Sequence, residues 1–553
     1  MATMSGSWRE VWHRGNLEIV VVLIGLTAVL LAVPLNSDSA YNMMVARRLF
    51  EGDQLYVNVM DFNPPLIFWL MTIPAAVGRA FDWSDARVVS LFVSAVMWTS
   101  GGLAVAVLAP TQDAGRLLRS SVVASLLAAL VLLLVYQVGQ REQLAAMLSL
   151  PYALLAARAA SGQTSTPRLA IVCGLLAGVG MAIKPFFAAP MLAMEAVVVA
   201  LQGPRGVMRP EVVAAVLVQC LYVAAVWVVD SAYFTRMVPL AMEWYGAYDA
   251  DRVTMVTEVR VLVLAAIGIG ALAVPHWLPR GFAGVCARVF GAATIGWLAS
   301  YIAQGKGWSY HLLPAEAFAL AALAALGVAI QRIPTGARFE RRVRRFGATV
   351  ALGAVAASPV LASLAYRAAA DVQRPQEVRR DWFAEMLAII ERHAGGEPVY
   401  VMSTSAWPAF PLANMARLRW PYPYQLLWPI PALYSGAVDG SYRSPEQHGE
   451  LEAEFFNSVV AGLVRVPPKL LIVERGAGLQ GMPGRTFDFV AYFSGAPEFA
   501  ALFQRYHRLT LIEKWEIYER RDEVAERRPI SIPTTSSARR PRADHRGHPD
   551  EPR

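Results

Sequence analysis

NSDSAYNMMVARRLFEGDQLYVNVMDFNPPLIFW runs from Asn36 to Trp69. It follows the first long apolar run of the chain and is not itself one. It carries Asp38, Arg47, Arg48, Glu51, Asp53 and Asp61, with Tyr41, Tyr56 and the pair Pro64–Pro65 among them. Carboxylates, guanidinia and aromatic rings set directly after a first hydrophobic span read as a site at the membrane surface, built from a polar loop and an amphipathic helix.

The rest of the chain supplies the membrane. Of 553 residues 56% are hydrophobic and only 17% are charged, which is too apolar for a soluble enzyme of this length. The net charge of +8 sits largely in short loops and the tail, as membrane orientation requires, so it does not indicate nucleic-acid binding. Cys173, Cys220 and Cys286 all lie in or near apolar segments, without metal-ligand spacing or a disulfide framework. Leu17–Leu35 lacks a small-residue cleavage site after its apolar run and reads as a retained anchor.

A helical crossing takes about 20 apolar residues. The pattern predicts about 11 spans: Leu17–Leu35, Arg87–Leu108, Ser120–Val138, Gln143–Ala160, Leu169–Ile183, Phe186–Leu201, Val212–Val229, Val259–Val274, Val285–Ile302, Leu312–Ile330 and Phe346–Leu364. The fifth and sixth meet at Lys184–Pro185, where proline breaks the helix. One bent helix is the alternative there. The arginine-rich run Arg338–Arg345 is the strongest cytoplasmic signal. Counting outward from it places the N-terminus inside and the loop 36–85 outside, provided that Pro64–Gly78 lies in the interface rather than across the bilayer. The loops 230–258 and 304–311 also come out external.

Composition changes after Leu364. Residues 1–368 are expected to form the transmembrane domain, 369–521 a small α/β domain outside the cytoplasm, and 522–553 a disordered tail. Trp382–His393 has helical periodicity, and Phe499–Tyr506 is a second helix candidate. Pro398–Ser403, Lys469–Glu474 and Thr510–Tyr518 read as strands.

Four polar clusters fall on the external side of this topology. They are Asp38 with Asp61; Gln140–Arg141–Glu142; Lys184 at the proline break; and QGKGWSYHLLPAE over 304–316, with Lys306, Trp308, Tyr310, His311 and Glu316. Ionisable side chains at membrane depth are costly and mark functional sites. A carboxylate beside an acceptor hydroxyl can serve as general base. Lysine and arginine can hold a phosphate as it leaves. A donor with a long isoprenoid tail presents its phosphate at the membrane surface, whereas a soluble sugar nucleotide would need the cytoplasmic face.

Over residues 15–330 the order of motifs resembles the C-type (GT-C) membrane glycosyltransferases. It is most similar to the branch of protein O-mannosyltransferases, the lipid A aminoarabinose transferase and the rhizobial lipopolysaccharide-core transferases. The resemblance rests on an acidic residue after the first span (NSDSAY), ARRLFEGDQLY, a proline pair opening an apolar helix (NPPLIFWL), GQREQL, and KGWSYHLLPA. It implies a polytopic helical fold and an inverting transfer of sugar from a polyprenyl-phosphate donor to a glycan or glycolipid acceptor in the cell envelope. The expected location is a bacterial inner membrane, with the site on the periplasmic face.

The resemblance implies Asp38 as catalytic base, with Asp61 and Glu142 beside it. Arg47, Arg141, Lys184, Lys306, Tyr310 and His311 would face the donor phosphate. Tyr56, Gln140, Trp308 and Glu316 would meet sugar or acceptor. The aminoarabinose enzymes carry lysine directly before the proline pair, where this chain has Asn63. Their second motif commonly centres on aspartate, where this chain has Gln-Arg-Glu. No metal site is assigned, because no local ligand spacing demands one. A divalent cation is left open, since some members of the superfamily use one.

Each motif has a plainer alternative. Asp38 also reads as a helix cap and Asp61 as a turn residue. Arg47 and Arg48 also read as a headgroup face, Glu142 as an ion pair with Arg141, and Lys184 as a snorkelling cation. His311 also reads as a buried, hydrogen-bonded core residue, and the patch Trp420–Tyr424 with Trp428 as core or lid packing rather than a sugar platform. Two rival functions stand beside transfer: a non-catalytic envelope-assembly or lipid-binding subunit, and a secondary transporter.

Overall fold

The computed structural model describes residues 17–109, 122–133, 136–276, 281–331, 381–438 and 440–521. The predicted span Phe346–Leu364, the arginine run before it and the tail lie outside the described residues.

The helices are α1 (Leu17–Ala32), α2 (Ser37–Phe50), α3 (Leu66–Phe81), α4 (Asp85–Leu108), α5 (Ala124–Leu132), α6 (Arg141–Ala160), α7 (Pro167–Ala182), α8 (Ala188–Gln202), α9 (Pro210–Val229), α10 (Val259–Ala273), α11 (Phe282–Gln304) and α12 (Leu313–Gln331). Short helical turns fill the loop between α9 and α10.

Helix α1 shows how the bundle forms. Ile19, Leu23, Leu26 and Leu30 recur at helical spacing and are buried, while Val21, Ile24 and Leu31 are exposed. One stripe packs inward and the rest is left for lipid. Helices α7 and α9 approach so closely that a Cβ at Gly174 would collide with the Glu211 backbone.

Among the described residues six helices are long and apolar enough to cross a membrane, or seven if the bent pair α1–α2 counts as one span. The predicted number of 11 is not confirmed: Phe346–Leu364 and part of Ser120–Val138 lie outside the described residues. Helices α3, α7 and α10 are apolar but have only 15 or 16 residues, short of the ~20 that span a bilayer.

The ambiguity at Lys184–Pro185 resolves as a hairpin. Lys184 lies beside Glu142 at the start of α6, Glu195 accepts from Tyr152 midway along, and Gln202 donates to the Ala160 carbonyl at the far end. Helix α8 thus runs parallel to α6, and α7 runs back between its two ends. The break leaves Lys184 in extended backbone at the head of the bundle, with Pro185 opening a short 3₁₀ turn.

After the first apolar helix the chain bends by 78° into α2. Asn36 caps α2: its side-chain oxygen accepts from the Ser39 amide at 2.9 Å, and its amide donates to the Val138 carbonyl at 2.6 Å. Asp38 is therefore inside the first turn and is not the cap.

The remaining elements are α13 (Asp381–His393), β1 (Val399–Met402), α14 (Glu450–Arg465), β2 (Leu470–Glu474), β3 (Tyr506–Ile512) and β4 (Trp515–Arg520), with short helices between them. The sheet order is β1-β2-β4-β3, with β1 and β2 parallel and the other pairs antiparallel. Every residue of β1 and β2 is buried, as expected of a parallel pair covered on both faces. The single strand predicted over Thr510–Tyr518 is instead a hairpin. Glu513, with φ of 52°, and Lys514 turn the chain in its middle. The predicted helix Phe499–Tyr506 is Pro497–Phe503, because Tyr506 already belongs to β3.

This α/β segment sits against the first loop. The Met60 amide donates to the Pro423 carbonyl at 2.9 Å. Arg48 donates to the Tyr422 and Asn58 carbonyls and to Asp53.

Candidate active site

A cleft of about 680 Å³, partly open to solvent, lies between the head of the bundle and the α/β segment. Helix α2 supplies Asp38, Tyr41 and Asn42, and the first loop supplies Asp61, Phe62 and Asn63. Arg141 comes from α6, Tyr245 and Tyr248 from the α9–α10 loop, Trp308 from the α11–α12 loop, and Thr404, Gln425, Trp428 and Gln480 from the α/β segment.

Asp38 keeps 31% of its side chain exposed. Gln140 donates to its Oδ2 at 2.8 Å, and the Arg141 guanidinium lies 3.8 Å from the same oxygen. Arg141 also donates to the Asn63 side-chain oxygen. Asn63, directly before the proline pair, thus holds an arginine at the cleft wall. Arg141 is the one lysine or arginine among the described residues lining the cleft.

Asp61 is buried, accepting from the Tyr41 hydroxyl at 2.5 Å and from the Asn63 amide at 2.6 Å. Burial pushes its carboxyl above the usual carboxylate range, against the pull of these hydrogen bonds. Of the two aspartates, Asp38 is the partly exposed one and so the one open to a ligand.

Beneath this floor lies a second polar cluster. Lys184 donates to Glu142 at 2.6 Å and to Gln304 at 2.9 Å, and His311 Nε2 is 3.4 Å from Glu142. All four side chains are buried. Glu142 pairs with Lys184, not with Arg141, because α6 turns the neighbouring side chain towards Asn63 instead. Lys184 does not snorkel to the surface.

Several sequence candidates lie elsewhere. Arg47 pairs with Asp85 at the start of α4. Tyr56 is fully buried, and its hydroxyl donates to the Asn63 carbonyl at 2.6 Å. Glu316 pairs with Arg260 at 2.6 Å. Lys306 donates to the Tyr245 carbonyl at 2.6 Å and to Asp249, with its ammonium 3.7 Å from the Tyr245 ring centroid. Burial depresses its pKa, opposed by Asp249. Lys306 therefore braces Tyr245 from behind the cleft wall. Tyr310 stacks on Trp308 and touches His311.

Asn42, Tyr245, Tyr248, Gln425 and Gln480 had not been singled out, and Tyr41 had been noted without a role. Tyr245 and Tyr248 could have been found from the aromatic density of the external loop 230–258. Gln425 and Gln480 carried no local signal. Among the described residues no group of three His, Cys, Asp or Glu side chains is placed to hold a metal ion.

A bundle of apolar helices with an α/β segment over its head, and a carboxylate-bearing cleft between them, defines the fold of the C-type membrane glycosyltransferases. The comparison that carries this is ArnT from Cupriavidus metallidurans, solved by crystallography bound to undecaprenyl phosphate. It aligns with a TM-score of 0.56 at 13% identity, over 91% of this chain and 97% of that one. The mycobacterial arabinofuranosyltransferase AftD aligns at 0.44, with 14% identity, over 91% of this chain and 39% of that one. The oligosaccharyltransferase of Archaeoglobus fulgidus aligns at 0.40, with 11% identity, over 90% and 73%. Neither a protein-family model nor a curated protein matches the chain.

Proposed function

We propose that the protein is an inverting glycosyltransferase of a bacterial inner membrane. It moves a sugar from a polyprenyl-phosphate donor to a glycan or glycolipid of the cell envelope, on the periplasmic face. The observation that carries this is the pair Asp38–Arg141: a partly exposed carboxylate on the cleft floor, 3.8 Å from the cleft's one guanidinium.

The chemistry follows from that pair. Asp38 takes the proton of an acceptor hydroxyl as the oxygen attacks the anomeric carbon. The bond from that carbon to the phosphate oxygen breaks on the opposite face, and the configuration inverts. Arg141, held by Asn63, neutralises the departing polyprenyl phosphate. ArnT's undecaprenyl phosphate supports a lipid-phosphate donor for a fold of this kind. Lys184, Glu142, Gln304 and His311 hold the floor rather than touch the donor. A non-catalytic lipid-binding subunit would have no need of an exposed base facing a guanidinium.

The test is transfer of labelled sugar from its undecaprenyl-phosphate ester in membranes carrying the native chain or Asp38→Asn. Asparagine keeps the shape but accepts no proton, and Asn36 still caps the helix. Transfer by the native chain and a loss of at least ~10³-fold in the variant are expected. Equal transfer by the two chains would remove Asp38 from the mechanism.

A further inference from the structure

A second cleft, of about 600 Å³, opens in the α/β segment beside the first. Trp382, Trp407 and Trp515 line it, together with Glu474, Lys514 and Gln480. We propose that it is a saccharide subsite, which holds sugar rings of the acceptor glycan distal to the reacting hydroxyl. This rests on the transferase reading above and names where the rest of the acceptor goes.

The position is the first argument. Glu474 ends β2, and Ser403 follows β1. The cleft therefore lies off the carboxyl ends of the parallel pair, where open α/β sheets bind their ligands.

The lining is the second. A pyranose has an apolar C–H face and a rim of hydroxyls, so it needs an aromatic platform and a few fixed polar groups. Trp407 is 45% exposed, and its ring is braced rather than loose. Phe383 stacks on it at 5.0 Å and 13°, and Trp382 packs edge-on at 6.1 Å and 89°. Glu474 is buried at the base, where it accepts from Ser403 Oγ at 2.6 Å and from Lys514. A carboxylate has about four lone-pair sites, so acceptor capacity remains for hydroxyls. The Glu474–Lys514 pair is neutral overall, which fits a sugar better than a bare phosphate.

Continuity with the first cleft is the third. The segment after β1 alternates between the two. Thr404 and Ala406 face the Asp38 cleft, whereas Ser405 and Trp407 face the tryptophan cleft. Gln480 lines both. A glycan entering over this wall would rest on Trp407 while its terminal hydroxyl reached Asp38.

The experiment uses the full chain in lipid nanodiscs. The probes are core oligosaccharide released by mild acid from a rough lipopolysaccharide, followed by saturation-transfer NMR, and undecaprenyl phosphate, followed by native mass spectrometry. The native chain is expected to bind both. Trp407→Ala should weaken oligosaccharide binding at least tenfold, Trp407→Phe should retain it within about threefold, and neither should alter lipid-phosphate binding. The subsite is overturned if the native chain binds undecaprenyl phosphate but no oligosaccharide, or if Trp407→Ala binds it as well as native. Absence of lipid-phosphate binding counts against the transferase reading instead. Oligosaccharide uptake abolished by Trp407→Ala would still support a saccharide site in that case.

Discussion

The Lys184 ammonium lies 2.6 Å from the Glu142 carboxylate, and both side chains are buried at the head of the bundle. They come from two different helix starts 42 positions apart. Their pairing therefore fixes where α6 meets the α7–α8 turn, directly beneath Arg141.

The first prediction concerns that pair. Removing one partner of a buried ion pair strands the other charge and costs roughly 3–5 kcal/mol, whereas removing both charges can be close to neutral. Lys184→Met should lower the unfolding temperature in detergent markedly. Adding Glu142→Gln in the same chain should recover most of the loss. A single Lys184→Met variant as stable as native, with transfer abolished, would instead give Lys184 a direct role at the donor.

The two halves of this site were not equally legible in the sequence. Asp38, Arg141, Lys184 and His311 stood out because charge is costly at membrane depth, and the fold does bring them to one end of the bundle. What residue type could not show was pairing. Arg47 and Glu316 carry the right charge, yet Asp85 and Arg260 engage them outside the cleft. Tyr56 sat in the right loop, yet its φ of 64° and full burial make it part of the loop's interior. The α/β side was the least visible. Gln425 and Gln480 reach the cleft only through packing between segments hundreds of residues apart, and no local pattern encodes that.

The second prediction separates Arg47 from Arg141. Arg47 is 34% exposed and engaged by Asp85, and partly exposed pairs contribute about 0–1 kcal/mol. Arg47→Ala should leave kcat/KM within about threefold of native. Arg141→Ala removes the cleft's guanidinium and should cut kcat/KM at least ~100-fold, since a charge-assisted contact to a leaving phosphate contributes about 3 kcal/mol or more. Steady-state transfer kinetics on both variants decide the matter, and equal losses would contradict the placement of Arg47.

The third prediction follows from Asp61. Its carboxyl is raised above the usual range, chiefly by burial. The folded chain therefore keeps this proton at pH values where the unfolded chain has released it. The group's contribution to stability is whole below the ordinary carboxylate pKa of about 4, and it is lost as pH rises through the folded value. Asp61→Asn cannot titrate. Unfolding temperatures measured from pH 4 to 8 should show the native-minus-variant difference falling as pH rises. A difference that grows with pH would mean that Tyr41 and Asn63 hold the carboxylate more strongly than burial opposes it.

The fourth prediction tests the junction that closes the cleft. Arg48 is buried and fans out to three acceptors: Asp53 at 2.7 Å, the Tyr422 carbonyl at 2.5 Å and the Asn58 carbonyl at 3.0 Å. It ties α2, the first loop and the α/β segment at one point. Lysine cannot reproduce that fork, because its ammonium is a single donor centre on a flexible stem. Arg48→Lys should loosen the loop over Asp53–Met60 and the strip at Tyr422 together, raising hydrogen exchange in both. The cleft would then be less well formed before the acceptor binds, so KM for the acceptor should rise several-fold while kcat falls less. Because Arg141, the guanidinium proposed to meet the phosphate, stands on α6 and not on the segments that Arg48 ties, undecaprenyl phosphate binding should stay unchanged. A variant that loses lipid binding along with acceptor affinity would show the cleft to be one cooperative unit rather than a lipid-facing floor and a separately held roof.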